Sequence, residues 1–164
     1  MDLLDHFRTL ARYNRIANTR LFEACGELAD EARRVAHRCS FGSIHNLLNH
    51  VLLGDRIWMA RFQGGGEATP PLATVLYEDF DELRTARGEQ DSLIETFFEN
   101  APPSFLDTRI PYVNNQSKEY LEEAEVAVAH FFNHQAHHRG QIHVLISQSS
   151  AQPPSLDLHR ILNP

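Results

Sequence analysis

Long hydrophobic runs are missing from this chain of 164 residues. Its apolar stretches last only a few residues, whereas a helix crossing a bilayer needs about 20. The opening segment, MDLLDHFRTLARYNR, is broken by charge within its first eight residues and holds no signal-peptide core. These absences lead us to expect a cytoplasmic protein with no membrane partner. Cysteine is equally scarce: Cys25 and Cys39 are the only two. That excludes a disulfide scaffold and a Cys-rich zinc site, and leaves both thiols as small hydrophobes. Basic clusters are lacking too. The formal net charge is −7 and no Lys/Arg run exceeds Arg33-Arg34, which argues against nucleic acid as a partner. Histidine, in contrast, is abundant at ten residues, and it is the commonest metal ligand.

Hydrophobic periodicity points to an all-α protein. Leu3, Phe7, Leu10, Asn14, Ala17, Leu21, Ala24 and Leu28 alternate in four- and three-residue steps, the seam of a bundle helix. Asn14 interrupts that seam and is expected to pair across the bundle or to face a cavity. After a linker near residues 31–38, Ser40 or Ser43 can cap a second helix. It carries Ile44, Leu47, Leu48, Val51, Ile57, Trp58 and Phe62 and stops at Gly64-Gly65-Gly66 and Pro70-Pro71. A third helix begins near Glu78 or Asp79 and is expected to bury Phe80, Leu83, Ala86, Leu93 and Phe97. Asn114-Asn115 lies between two short extended stretches, which suits a small hairpin. The final long helix covers about residues 121–148, followed by a loop and one turn. The pattern predicts a single domain over residues 1–164, a four-helix bundle. Its connections are long for a bundle, so a long crossover and an up-down-down-up course are expected.

Three histidines crowd the stretch FFNHQAHHRGQ of the last helix. His134 and His138 are four residues apart, about 400° of helical turn, and so stand one above the other. His137 lies about 100° away from His138 and points elsewhere. Ala127, Phe131, Ile142 and Leu145 define the core stripe, and its intervening slots fall at His134 and His138. In helix two, Leu47, Gly54 and Ile57 bracket His50 in the same way. A buried imidazole left unpaired costs about 1–3 kcal/mol, but three that converge can bind a divalent ion and leave positions open. His130, one turn before His134, is the substitute ligand. His45 is about 140° from His50 around its helix and cannot face the same point. His6, His37, His143 and His159 read as surface residues.

Two metal arrangements are excluded by the text. A zincin needs Glu directly after its first histidine, and position 135 is Gln. A ferritin-like di-iron site needs Glu three residues before His, and none of the ten histidines has one.

The segments ARYNRIAN, SIHNLLNHVLLGDRIWMARF and FFNHQAHHRGQIHVL, in that order, resemble the DinB family of bundle proteins. The resemblance covers nearly the whole chain. It implies a bundle that is commonly dimeric, with a three-histidine metal site whose ligands here are His50, His134 and His138. Zinc suits such a site best, and nickel, iron or copper would also bind. Relatives in the family include enzymes that depend on a low-molecular-weight thiol. The resemblance therefore implies a metal-dependent enzyme that activates a thiol or water for transfer to, or hydrolysis of, a small-molecule substrate. The alternative is a non-catalytic metal-binding dimer that serves in sensing, storage or protein interaction. Asn49, Asn133, Gln135 and Gln141 flank the ligands and are candidates to orient them. Asp55 and Arg56 read as residues that pair or cap between helices, and Trp58 as core.

Overall fold

In the computed structural model, which describes residues 2–65 and 69–163, the long elements are helical. They are α1 (Leu3–Gly26), α3 (Ile44–Phe62), α4 (Phe80–Asn100) and α5 (Ala124–Ser147), with short helices α2 (Asp30–Arg34) and α6 (Leu158–Leu162). Side-chain caps set three of the starts. Asp2 Oδ1 accepts from Asp5 N at 2.8 Å, Ser43 Oγ from Asn46 N at 3.1 Å and Asp79 Oδ1 from Glu82 N at 2.9 Å. Ser43, not Ser40, is therefore the cap of α3, and α2 occupies part of what reads as linker. Gly64, at φ +88°, follows the end of α3 in the left-handed region that glycine tolerates best. Gly66 lies outside the described residues.

The hairpin expected around Asn114-Asn115 is present. Strands β1 (Arg109–Val113) and β2 (Glu119–Glu123) pair antiparallel, with Tyr112 opposite Tyr120. Asn114 Oδ1 closes the turn by accepting from Gln116 N and Lys118 N. The fold is thus mostly helical with a small two-stranded sheet.

The apolar core forms two clusters. One joins Leu21 and Cys25 of α1, and Leu28 just beyond it, to Leu47 and Leu52 of α3, Leu83 of α4 and Ile142 and Ile146 of α5. The other joins Phe7 and Ala11 of α1 to Met59 and Phe62 of α3, Ile94 and Phe98 of α4 and Val128 and Phe131 of α5. The N-terminal half of α1 therefore shares a core with the C-terminal halves of α3 and α4 and the N-terminal half of α5.

A buried polar layer lies at chain positions between these clusters. Arg87 bridges Asp55, at 2.5 Å, and Asp91, at 2.8 Å. Asp91 accepts from Asn18 at 2.9 Å, and Arg139 donates to the side-chain oxygens of Asn14 and Asn18. Asn14 pairs across the helices in this way, as its seam position implied. The layer also explains a departure from expectation. Leu93 is 60% exposed, because the inward stripe of α4 runs through Arg87, Gln90 and Asp91 before reaching Ile94. Leu3 is also exposed, and its neighbour Leu4 fills the core position.

Candidate metal centre

Position and neighbours on α3 and α5 decide which imidazoles meet. His50 and His138 are buried and His134 is nearly so. Their rings stand 4.5–5.1 Å apart, centroid to centroid. One nitrogen of each lies within 4.8 Å of the others. His50 Nδ1 donates to the Leu72 carbonyl at 2.9 Å, and His138 Nδ1 donates to Gln141 Oε1 at 2.8 Å. Each bond fixes the tautomer and leaves Nε2 with a free lone pair. His50 Nε2 and His134 Nε2 are 3.2 Å apart, so two basic atoms converge where a cation could sit.

Electrostatics keep the set neutral. Burial pushes His134 down to about 3, helped by the neighbouring imidazoles, and pushes His138 down to about 4. Burial lowers His50 in the same direction. Neutral imidazole is the form that ligates metal. Three neutral nitrogen donors with no fourth His, Cys, Asp or Glu in the group, among the described residues, fit a divalent ion with open coordination.

Small and aromatic residues frame the centre. Gly54 is bare where the His134 ring lies, since a Cβ there would stand 2.9 Å from Cε1. Phe41, in the left-handed region at φ +64°, stacks on His50 with centroids 3.7 Å apart. A cavity of about 360 Å³ opens beside His50 and His134 and runs past Trp58, Arg61, Tyr112, Tyr120 and His130.

The remaining histidines go elsewhere. His130 is not part of the group; its ring packs on Trp58. His137 is exposed. His45 is fully buried, with Nε2 3.0 Å from the Tyr77 carbonyl. His143, expected at the surface, is half-buried and holds the C-terminal tail through the Pro154 carbonyl at 3.1 Å.

Of the four amides expected to orient ligands, only Gln141 touches one. Asn49 Oδ1 accepts from Leu76 N and Tyr77 N and anchors the segment before α4. Asn133 is exposed. Gln135 is buried and donates to Asp55 Oδ1 at 2.8 Å. Asp55 and Arg56 do pair between elements, with Arg87 and the Tyr77 hydroxyl respectively. Trp58 is half-buried: it packs against the second core cluster, as expected, and also lines the cavity. Phe41, Leu72 and Arg61 carried no signal in the sequence. The first two act on His50 from neighbouring loops, and Arg61 has the form of an ordinary C-terminal helix charge.

No curated protein matches the chain by sequence. The family model described as DinB family matches residues 3–164, essentially the whole chain. The chain belongs to the DinB family.

Proposed function

We propose that His50, His134 and His138 hold one divalent metal ion, zinc in first place, and that the protein is a metal-dependent enzyme acting on a small molecule. When bound in such a donor set, a divalent ion acts as a Lewis acid and brings a thiol or a water to a nucleophilic state near neutral pH. The observation that carries the enzymatic reading is the cavity of about 360 Å³ that touches His50 and His134. A site that only stores metal has no need of a substrate-sized cavity beside an unsaturated donor set.

The chain's own residues have defined parts. Leu72 and Gln141 orient His50 and His138, and the missing side chain at Gly54 admits His134. Phe41 covers His50 and keeps solvent from its outer face. Cys25 is not the nucleophile. It is fully buried, and burial pushes its thiol up to about 12. Cys39 does not line the cavity beside His50 and His134, so we take the nucleophile from outside, a low-molecular-weight thiol or water.

We read the architecture as one domain, a four-helix bundle with an up-down-down-up course. The support is the sharing of core by helix halves, α1 and α5 at their N-terminal halves with α3 and α4 at their C-terminal halves. A cytoplasmic homodimer is the state that the resemblance supports.

The test is elemental analysis of untagged protein beside His50→Ala and His138→Ala variants. Wild type should carry close to one equivalent of zinc after reconstitution, and both variants should carry far less. Equal metal content in all three would remove the site.

A further inference from the structure

The described residues include four buried arginines, Arg33, Arg61, Arg87 and Arg139. Arg33 donates to the carbonyls of Cys25 and Leu28 and meets Asp30. Arg87 bridges Asp55 and Asp91, and Arg139 meets Asn14 and Asn18. Arg61 differs. It is only 8% exposed, and among the described residues its guanidinium makes no hydrogen bond and pairs with no carboxylate, although an unpartnered Nε alone is shared with Arg33 and Arg87. Its guanidinium packs against two rings that touch each other, 4.6 Å from the Trp58 centroid and 3.9 Å from that of Tyr112. A buried cation without an anion is costly and calls for a reason. Its place in the last turn of α3 offsets part of that cost.

Position supplies the reason. Arg61 follows His50 by eleven residues on α3, which brings it to within about 20° of the same helix face. The side chain leans back toward the N-terminus of its helix, and so toward the histidines. One cavity touches His50 and His134 at the metal end and Arg61, Tyr112 and Tyr120 further along. Ring contacts mark the path between: His134 to His130 at 6.0 Å, His130 to Trp58 at 5.3 Å, then Arg61.

We propose that Arg61 recognises the carboxylate of a small organic acid whose body lies along the aromatic lining of this cavity and whose far end faces His50 and His134. The guanidinium fork matches a carboxylate in a two-bond geometry, and desolvation strengthens that pair. Trp58, Tyr120 and His130 add aromatic surface to the same cavity, which suits an apolar or unsaturated body. A single cation in the cavity suits a carboxylate better than a phosphate, which draws several. The orientation of the far end rests on the metal reading, whereas the carboxylate contact does not.

The test uses zinc-free protein, so that a carboxylate cannot bind through the metal. Benzoate, benzamide and inorganic phosphate are titrated by calorimetry and by the fluorescence of Trp58, the only tryptophan in the chain. Wild type should bind benzoate saturably and at least about tenfold more tightly than benzamide. Arg61→Gln and Arg61→Met should each lose that advantage while benzamide binding stays unchanged. Either variant suffices if the other does not fold. Equal benzoate affinity in wild type and the variants overturns the proposal, as does absence of saturation by benzoate. Tighter, Arg61-dependent binding of phosphate overturns the carboxylate assignment. Zinc uptake is measured on the same samples. Zinc binding that fails while Arg61-dependent benzoate binding survives refutes the metal reading alone; the reverse pattern refutes this inference alone.

Discussion

Gly54 leaves the space that the His134 ring fills. A Cβ at position 54 would stand 2.9 Å from His134 Cε1, closer than real contacts allow. Ala is the better helix former by about 1 kcal/mol, so Gly54→Ala should leave the fold intact or slightly raise its melting temperature. Its cost falls on His134, which must swing away from His50. We expect zinc affinity to fall by about 10–100-fold, the range seen when ligand-orienting contacts are lost. A chelator-competition titration run beside a thermal melt separates the two effects. Unchanged zinc affinity in a folded variant would show that the ring can relax without leaving the site.

Asp55 ties the helices that carry the ligands. One carboxylate oxygen accepts from Gln135 of α5 and the other from Arg87 of α4. Both Asp55 and Arg87 are almost wholly buried, at 0% and 2% exposure. Removing Asp55 leaves Arg87 with one carboxylate, Asp91, instead of two and leaves Gln135 without its acceptor, a loss at the low end of the about 3–5 kcal/mol for breaking a buried pair. Asp55→Ala should therefore cost that much in denaturant unfolding of metal-free protein. Gln135→Leu should cost less, about 1–3 kcal/mol, since Arg87 still neutralises Asp55. The order of the two losses is the check, and a larger loss for Gln135→Leu would contradict it.

The three clustered histidines were legible in the sequence because they break a pattern. His134 and His138 fill slots between Phe131 and Ile142, and His50 sits between Leu47 and Gly54, so polar residues stand where core is due. The hairpin was legible from Asn114-Asn115. The polar layer was not, apart from Asn14 and Asp55. A charged residue on a helix defaults to the surface, and the partners that bury these ones are distant: 32 positions separate Asp55 from Arg87 and 80 separate it from Gln135. The same default placed Leu93 inside, since Arg87, Gln90 and Asp91 were not read as the inward stripe of α4. Arg61 was illegible for a further reason. Its burial depends on Tyr112, delivered by the hairpin from some fifty residues away.

The two thiols should differ sharply toward alkylation. Cys25 is fully buried and its thiol is pushed up to about 12 by desolvation, so almost no thiolate forms at pH 8. Cys39 is half-buried in the loop before α3. Iodoacetamide at pH 8 should add one equivalent to native protein, at Cys39, and two to the denatured chain. Mass spectrometry of the peptides reads both. Rapid labelling of Cys25 in native protein would contradict its burial.

Acid should destabilise the metal-free protein, and the sign follows from two opposed groups. His134 and His138 are held at about 3 and about 4 in the fold against 6.5 in the open chain. As pH falls below 6.5, the unfolded chain takes up protons that the folded one refuses, so stability is lost. Asp91 works the other way. Burial raises it from 3.8 to about 6, so between those values the folded chain holds the extra proton and gains stability as pH falls. Burial raises Asp55 as it does Asp91, and lowers His45, His50 and His130 as it does His134 and His138. Five histidines against two aspartates set the sign, and stability should fall from about pH 7 to 4. Denaturant unfolding of chelator-treated protein across this range measures it. His134→Asn and His138→Asn should each flatten the acid limb, and the double variant should flatten it further.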